Sequence, residues 1–438
     1  MRIDELKDKV CKTIDHNREH IIQISERIYN NPELGYKERF ATDLIAKQME
    51  MLDLNVKRDI TVTGCKGSAN ERKAGPKIAI FGELDAVTCK EHPDADKETG
   101  AIHACGHNIQ VAAMLASAIG LVLSEILDEL DGSIEFIAVP AEEYIELEYR
   151  SELTEEGKIS YFGGKQELIA QGYLDDIDIA MMIHSLDLND KEALVGGSGN
   201  GFIGKKVKFI GKESHAGSAP EEGVNALNAA MLAINNIHAQ RETFPDDEKV
   251  RVHPIITNGG DIVNIVPNDV RMETYVRART IDGMADANAK VNRALKAGAM
   301  AVGAEIEISE MPGYLPLLNN SQLDELFTAN LTRFVAKEYI QEGASFTGSF
   351  DFGDVSHLIP TLHPFFGGVK GDLHTRDFRL DDPELAIIKP AKVMALTIID
   401  LLYDGAETAY KIIDDFEPEM TKEEYIGFLE EMSKEIDE

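Results

Sequence analysis

Three short apolar runs constrain the fold of this chain more than any other feature. They are KIAIF (77–81), SIEFIAV (133–139) and IAMMI (179–183). Each has the length of a buried strand, and helical stretches separate them. Alternation of this kind predicts a largely parallel sheet with helices on both faces. Each run also leads straight into polar residues. KIAIF continues as Gly82-Glu83-Leu84-Asp85, SIEFIAV as Pro140-Ala141-Glu142-Glu143, and IAMMI into His184. In open α/β sheets ligands bind beyond the carboxyl ends of the strands, so these side chains are placed to converge.

Around this frame, residues 4–54 read as two helices broken by NNPELGYKE, with Asn-Pro marking the boundary. NIQVAAMLASAIGLVLSEILDEL (108–130) and YFGGKQELIAQGYL (161–174) read as helices. The texture changes near residue 195, where GGSGNGFIG forms a glycine-rich hinge. It matches G-x-G-x-x-G, but a strand pattern follows where a dinucleotide site needs a helix. Strand and helix patterns then run β-α-β-β-α-β, the order of a ferredoxin-like sandwich. Polar alternation along these strands predicts a sheet covered on one face. The expected organisation is an α/β domain over 1–194 and 313–438, with an α+β domain inserted at 195–312. The acidic stretch after Asp414 has helical spacing and reads as a solvated terminal helix.

The formal net charge is -34, from 44 Lys+Arg against 78 Asp+Glu. Such a surface argues against nucleic acid or an anionic membrane as the main partner. No apolar run approaches the roughly 20 residues of a membrane span, and the start, MRIDELKDKVCK, lacks the apolar core of a signal peptide. The four cysteines, Cys11, Cys65, Cys89 and Cys105, form no CxxC pair and no disulfide-dense pattern. Together these features point to a reducing cytoplasm.

HACGHN (103–108) lies just after the first strand, and a fourth apolar run, LHPFFGG, is followed by DLHTRDF with His374. The available set is Cys105, His107, Glu143, His184 and His374, with Glu142 and Asp85 nearby. Thiolate, imidazole and carboxylate are the groups that hold zinc and similar divalent metals. Five donors exceed one open tetrahedral site but suit two metals that share a bridging donor and activate water. Glu143 would then bind metal, Glu142 would move a proton to the leaving amine, and Asp85 would orient a liganding histidine. Read singly, each has an ordinary role: a core thiol, a hydrogen-bonded histidine, a solvated glutamate pair, a helix-capping aspartate. On spacing alone, the metal centre and these ordinary roles stand level. Walker A, HExxH, G-x-S-x-G and the zinc deaminase pattern are all absent.

Taken in order, the blocks NPELGYKE, GELDAV, HACGHN, PAEE, IHS, GKESHAG, GGDIVNIVPNDV, FDFGDVSHLIPTLHP and LHTRDF span nearly the whole chain. They resemble the aminoacylase, hippurate hydrolase and indole-acetyl-amino-acid hydrolase group of dinuclear metallopeptidases, metallopeptidase family twenty. Within it, the likeness is strongest to the aminobenzoyl-glutamate hydrolase and related dipeptidase branch. The resemblance implies a catalytic α/β domain and an inserted lid through which two chains form a homodimer. It implies two divalent metals (Zn, Mn, Ni or Co) on Cys105, His107, Glu143, His184 and His374, with Glu142 as general acid/base. It also implies that His215, on the lid, reaches the active site of the partner subunit and hydrogen-bonds the developing oxyanion. Asn264 is implied near the substrate carboxylate or oxyanion, and Arg277 is a further candidate for binding substrate.

The chain departs from this pattern in three places. Relatives usually read Arg-Ala-Asp-Met-Asp-Ala-Leu where FGELDAV stands, so Glu83 replaces an aspartate and the arginine is missing. Asn108 stands where an aspartate is common after Cys-Gly-His, and Phe350 where a threonine is common. The function expected is a metal-dependent amidohydrolase acting on N-acyl or N-aroyl amino acids or small dipeptides. The alternative is a silent relative that binds small amides or a protein; an endopeptidase is disfavoured because a lid-closed site suits small substrates.

Overall fold

A computed structural model describes residues 2–437. The chain divides into two compact units: 2–197, 318–345 and 354–419 in the first, and 198–317, 346–353 and 420–437 in the second.

The first unit opens with α1 (Ile3–His16), α2 (Arg18–Tyr29) and α3 (Arg39–Met51). Where two helices were expected there are three, because the chain also breaks at Asn17, whose side chain bonds back to Thr13 O at 2.8 Å. Strands β1 (Asn55–Ile60), β2 (Gly64–Ala69) and β3 (Lys77–Glu83) follow, then α4 (His107–Leu123) and β4 (Ser133–Val139). Next come α5 (Leu147–Glu155), α6 (Gly164–Ala170) and β5 (Ile179–Met181). Helix α4 ends seven residues before the apolar pattern does. Ser124 turns its hydroxyl onto Leu121 O, and Glu125 adopts φ +55°.

The second unit holds β6 (Gly201–Ile210), α7 (Ala226–Gln240), β7 (Ile255–Asn258), β8 (Asp269–Ala278), α8 (Ile281–Val302) and β9 (Glu305–Pro312). The first unit resumes with α9 (Ser321–Leu331), β10 (Thr361–Leu362) and α10 (Lys389–Leu402). The last elements, α11 (Lys422–Met432) and β11 (Lys434–Asp437), join the second unit.

The main sheet of the first unit runs β1-β2-β4-β3-β5-β10. Strands β4, β3, β5 and β10 are parallel, and β1 and β2 add an antiparallel margin. Both β3 and β4 are buried almost throughout, as central strands covered on both faces must be. Helix α4 is apolar on nearly every side because it lies between β3 and the helices α1, α2 and α10. Gly82 permits this approach: a Cβ there would stand 2.7 Å from the Val111 backbone. The expected strand IAMMI does not carry straight on into His184. β5 stops at Met181, and His184–Ser185 pairs instead with Phe365–Phe366 in a small second sheet.

The second unit is one antiparallel sheet in the order β7-β8-β6-β9-β11, with α7 and α8 packed on it. Burial alternates along β8, as in a sheet covered on one face. The acidic terminal stretch is not simply solvated. Tyr425, Leu429 and Met432 of α11 are buried, Met432 within this unit's core, and β11 pairs with β9. Apolar residues at helical spacing give α11 a face to bury, so residues 420–437 pack with the second unit, and so does the segment 346–353 around Phe350. No helix among the described residues is long and apolar enough to cross a membrane.

Candidate active site

The carboxyl ends of β3 and β4 lie side by side, with Glu83 in register with Val139. Asp85 and the Pro140–Glu143 turn therefore leave the sheet together. Gly106, at φ +82°, turns the chain into α4 and sets Cys105 and His107 on either side of the helix start. A Cβ is disfavoured in that backbone region, which explains the glycine. His374 arrives from a distant loop, tied by its backbone N–H to Ala104 O at 2.8 Å.

Cys105 is the centre of the arrangement. Its Sγ lies 3.5 Å from His184 Nε2 and 3.3 Å from His374 Nε2. His374 Nε2 is also 3.0 Å from Glu143 Oε1. Two groups of donor atoms result, Cys105/His107/His184 and Cys105/Glu143/His374, and the thiol belongs to both. A third group, Glu83/His107/Glu142, adjoins the first through His107. All five expected donors are thus brought together. The expectation that one donor is shared falls on the sulfur.

The chemistry of this set fits divalent metal. Burial and the neighbouring Glu143 carboxylate push the Cys105 thiol up, but His107, His374 and His184 override both and bring it down to about 6. A low-lying thiol is a thiolate donor at neutral pH. Burial likewise opposes ionisation of Glu143, and His374 reverses that, holding the carboxyl at about 2. His107 Nε2 is buried without a hydrogen-bond partner. Buried polar atoms are seldom left so, and a cation at the Cys105/His107/His184 group accounts for it.

Two further groups fix the donors. Asp85 takes His107 Nδ1 on its carbonyl at 2.9 Å and on Oδ1 at 3.2 Å. Its Oδ2 accepts from Glu143 N at 2.9 Å. One aspartate thus orients a histidine and a glutamate from different segments, the tuning role of an outer carboxylate. His184 turns Nδ1 to Ser185 O at 2.9 Å, which leaves Nε2 facing the sulfur.

Other supporting residues carried no signal at their positions in the sequence. Ala141 and His374 both sit at left-handed φ, +55° and +61°, a strain of about 1–3 kcal/mol each that surrounding contacts must hold. For Ala141 those contacts are visible. Glu38 accepts from Ala141 N at 2.8 Å and from Thr63 Oγ1 at 2.5 Å. The buried Arg150 donates to the Glu143 carbonyl and, at 2.7 Å, to Phe162 O. Glu83 pairs with Lys165 at 2.5 Å, both side chains sealed from solvent. Burial opposes ionisation of Glu83; Lys165 and His107 override it and hold the carboxyl at about 2. A missing arginine beside a buried carboxylate was the one available hint that another cation had to exist. Asn108 turns away from the donors, its Nδ2 3.0 Å from Ser25 Oγ.

Three expected site residues lie in the second unit. His215 is exposed, and its Nδ1 accepts from the N–H groups of Gly217 and Ser218, both at 3.1 Å. Asn264 is its neighbour: its carbonyl takes Ala216 N at 2.9 Å, and Ile265 bridges to His215. Arg277 is elsewhere. It pairs in register with Phe202 at the start of β6, donates to Ser349 Oγ at 3.2 Å and lies over the Phe202 and Tyr275 rings. His215 follows the other end of β6, past Ile210. Eight residue steps along the strand separate Phe202 from Ile210, roughly 26 Å.

Comparisons with known proteins show what the chain is similar to. The Xaa-Arg dipeptidase of Mus musculus is 29% identical over 426 residues, covering 92% of this chain and 90% of that protein. Among solved structures, a dinuclear metal binding peptidase of the M20 family from Bacillus subtilis matches with TM-score 0.65 and 21% identity, over 89% of this chain and 99% of that one. The aminobenzoyl-glutamate utilization protein from Klebsiella pneumoniae matches with TM-score 0.65 and 17% identity, over 91% and 98%. At those identities the two structures speak to the fold. The family model for peptidase family M20/M25/M40 matches residues 79–400, which takes in every donor of the cluster. The chain belongs to this peptidase family.

Proposed function

We propose that this hydrolase cleaves the amide bond of N-acyl or N-aroyl amino acids or of small dipeptides, using two divalent metals on the Cys105 groups. The observation that carries the reading is the position of Glu142. It belongs to neither Cys105 group, yet its Oε2 is 3.8 Å from His107 Nε2. Metals bound there supply activation of water and polarisation of the carbonyl. Glu142 takes a proton from the attacking water and delivers it to the leaving amine. Asp85 keeps His107 and Glu143 aimed through that transfer. The likeness to an Xaa-Arg dipeptidase over nine-tenths of both chains favours small substrates with a free carboxylate. Four cysteines without a disulfide favour a reducing cytoplasm as the working compartment.

The second unit acts as a lid and as the contact of a homodimer. His215 accepts two N–H groups on Nδ1, so its neutral ring carries the hydrogen on Nε2 and presents a donor outward. That is the form an oxyanion needs. The separation of Arg277 from His215 and Asn264 along β6 supports a site that draws them from different subunits. Exposed Met231 and Leu232 on α7, and Ile255 and Ile256 on β7, offer the apolar surface for pairing.

Chelation followed by reloading with Zn, Mn, Ni or Co, assayed on N-acyl amino acids, aminobenzoyl-glutamate and dipeptides, tests the reaction. Activity should vanish and return with metal; turnover that survives complete metal removal refutes the reading. Mixing inactive Glu142→Ala and His215→Ala proteins tests the shared site. Restored turnover is expected, since one site of each mixed dimer is intact; no recovery in a verified mixed dimer refutes sharing.

A further inference from the structure

Glu83 differs from the other carboxylates of the cluster in what holds it. Its Oε1 is against Lys165 Nζ at 2.5 Å, and Oε2 accepts from Gln110 Nε2 at 3.0 Å. Its backbone N–H donates to Gln110 Oε1 at 2.6 Å. The carboxylate is therefore gripped from two sides, by a fixed positive charge and by an amide from the first turns of α4. A pair serving packing alone would be complete at that point. Instead, Glu83 Oε2 continues to within 3.2 Å of His107 Nε2.

That approach is not a hydrogen bond. His107 Nε2 has no hydrogen-bond partner, and the other ring nitrogen already faces the carbonyl and carboxylate of Asp85. With Nδ1 turned to Asp85, Nε2 is the nitrogen that faces the Glu83 carboxylate oxygen. A proton or a metal ion can occupy that approach, and a bound metal takes the place of the proton. Glu142 completes the corner, and the three donor atoms all lie within 4.8 Å of one another.

We propose that Glu83 is an additional metal-facing donor at the His107 position, with Lys165 as its counter-charge and Gln110 fixing its direction. The proposal rests on the two-metal reading above and makes the two positions unequal. The His107 position is backed by the shared thiolate, two imidazoles and a buried carboxylate. The other has the shared thiolate, Glu143 and His374, whose side chain is 52% exposed. The His107 position retains its metal, and the His374 position exchanges first. In this chain the glutamate reaches toward the His107 position and the lysine offsets its charge.

The test is metal release, which needs no substrate. Wild type, Glu83→Gln and the double variant Glu83→Gln/Lys165→Met are loaded with Co(II), and release to excess chelator is followed with the visible spectrum. The double variant removes both charges, so no unpaired lysine remains to unfold the site. Wild type should hold two equivalents that leave in a fast and a slow phase. Both variants should keep the fast phase, speed the slow one by about 10–100-fold, and shift the spectrum of the slowly released cobalt. A folded double variant with wild-type slow release and spectrum overturns the role of Glu83 while leaving the two-metal reading intact. A wild type that takes up no second equivalent overturns the two-metal reading itself, and this proposal with it.

Discussion

Among the described residues, each unit has one lysine fully sealed from solvent and paired with a buried glutamate. In the first unit Lys165 meets Glu83; in the second, Lys205 meets Glu310. Both lysines are fully sealed from solvent. The surroundings differ. Glu310 Oε1 also accepts from Asn288 Nδ2 at 2.9 Å and Asn292 Nδ2 at 2.6 Å, and Lys205 donates to Asn292 Oδ1 at 2.7 Å. The second-unit pair is bonded by amides of α8 and joins no cluster of possible metal donors among the described residues. Glu83 spends one oxygen on lysine and turns the other toward His107. A buried ion pair by itself says little about function, because desolvation cancels much of its attraction. What distinguishes the two is that a Glu83 oxygen lies 3.2 Å from His107, a possible metal donor.

That contrast can be broken at several strengths. The largest effect belongs to Glu142, the proton carrier of the proposed mechanism. Glu142→Ala should lower kcat by about 10²–10⁴-fold with metal content unchanged, whereas Lys205→Met should leave kcat within a few-fold. Equal losses in the two would erase the distinction. Next come the lysines themselves. Lys165→Met and Lys205→Met each strand a buried carboxylate and should each cost about 3–5 kcal/mol of stability, read by denaturant unfolding. Only the first should also lose metal, measured by elemental analysis of the folded protein.

Smaller effects come from Glu38, which supports the strained turn without touching the donors. Glu38→Ala leaves Ala141 N unpaired and should cost about 1–3 kcal/mol and reduce kcat, while Glu38→Gln keeps an acceptor and restores most of it. An alanine variant with unaltered kcat would show that the turn holds itself. The smallest effect is a pH dependence. Burial, joined by the charge of Asp85, pushes the Glu38 carboxyl up to about 8, against the bonds from Thr63 and Ala141. A raised carboxyl favours the protonated folded state. Its stability is complete below the ordinary carboxylate range and declines as pH rises toward about 8. Glu38→Gln removes that decline, so its melting temperature should gain on wild type as pH rises from 5 to 8. A constant difference across that range would show that Glu38 titrates normally.

The sequence revealed the chemistry more readily than its support. Strand ends are legible because apolar runs stop where the sheet stops, so Asp85, Glu142, Glu143 and His184 fall into line from the pattern of residues by itself. His374 needed only another run of the same kind. Glu38, Arg150 and Gln110 lie on helices or loops where a charged or polar residue is unremarkable, and their importance comes from long-range packing. Boundaries also escaped. The apolar pattern past Leu123 continues as though helical, and only the local bonds of Ser124 stop it. The return of residues 420–437 to the second unit could not be read from helical spacing alone, because a stripe of apolar residues says that a face is buried but not against what.

The strand β11 has a consequence for how chains can accumulate. An antiparallel sheet with two bare margins is a template that can grow from both sides, and copies of it can add without limit. Here Lys434–Asp437 hems one margin by pairing with Glu307–Glu310. The margin is then a short strand of mostly charged residues, Lys434, Glu435 and Asp437, a form of edge that resists open-ended strand addition.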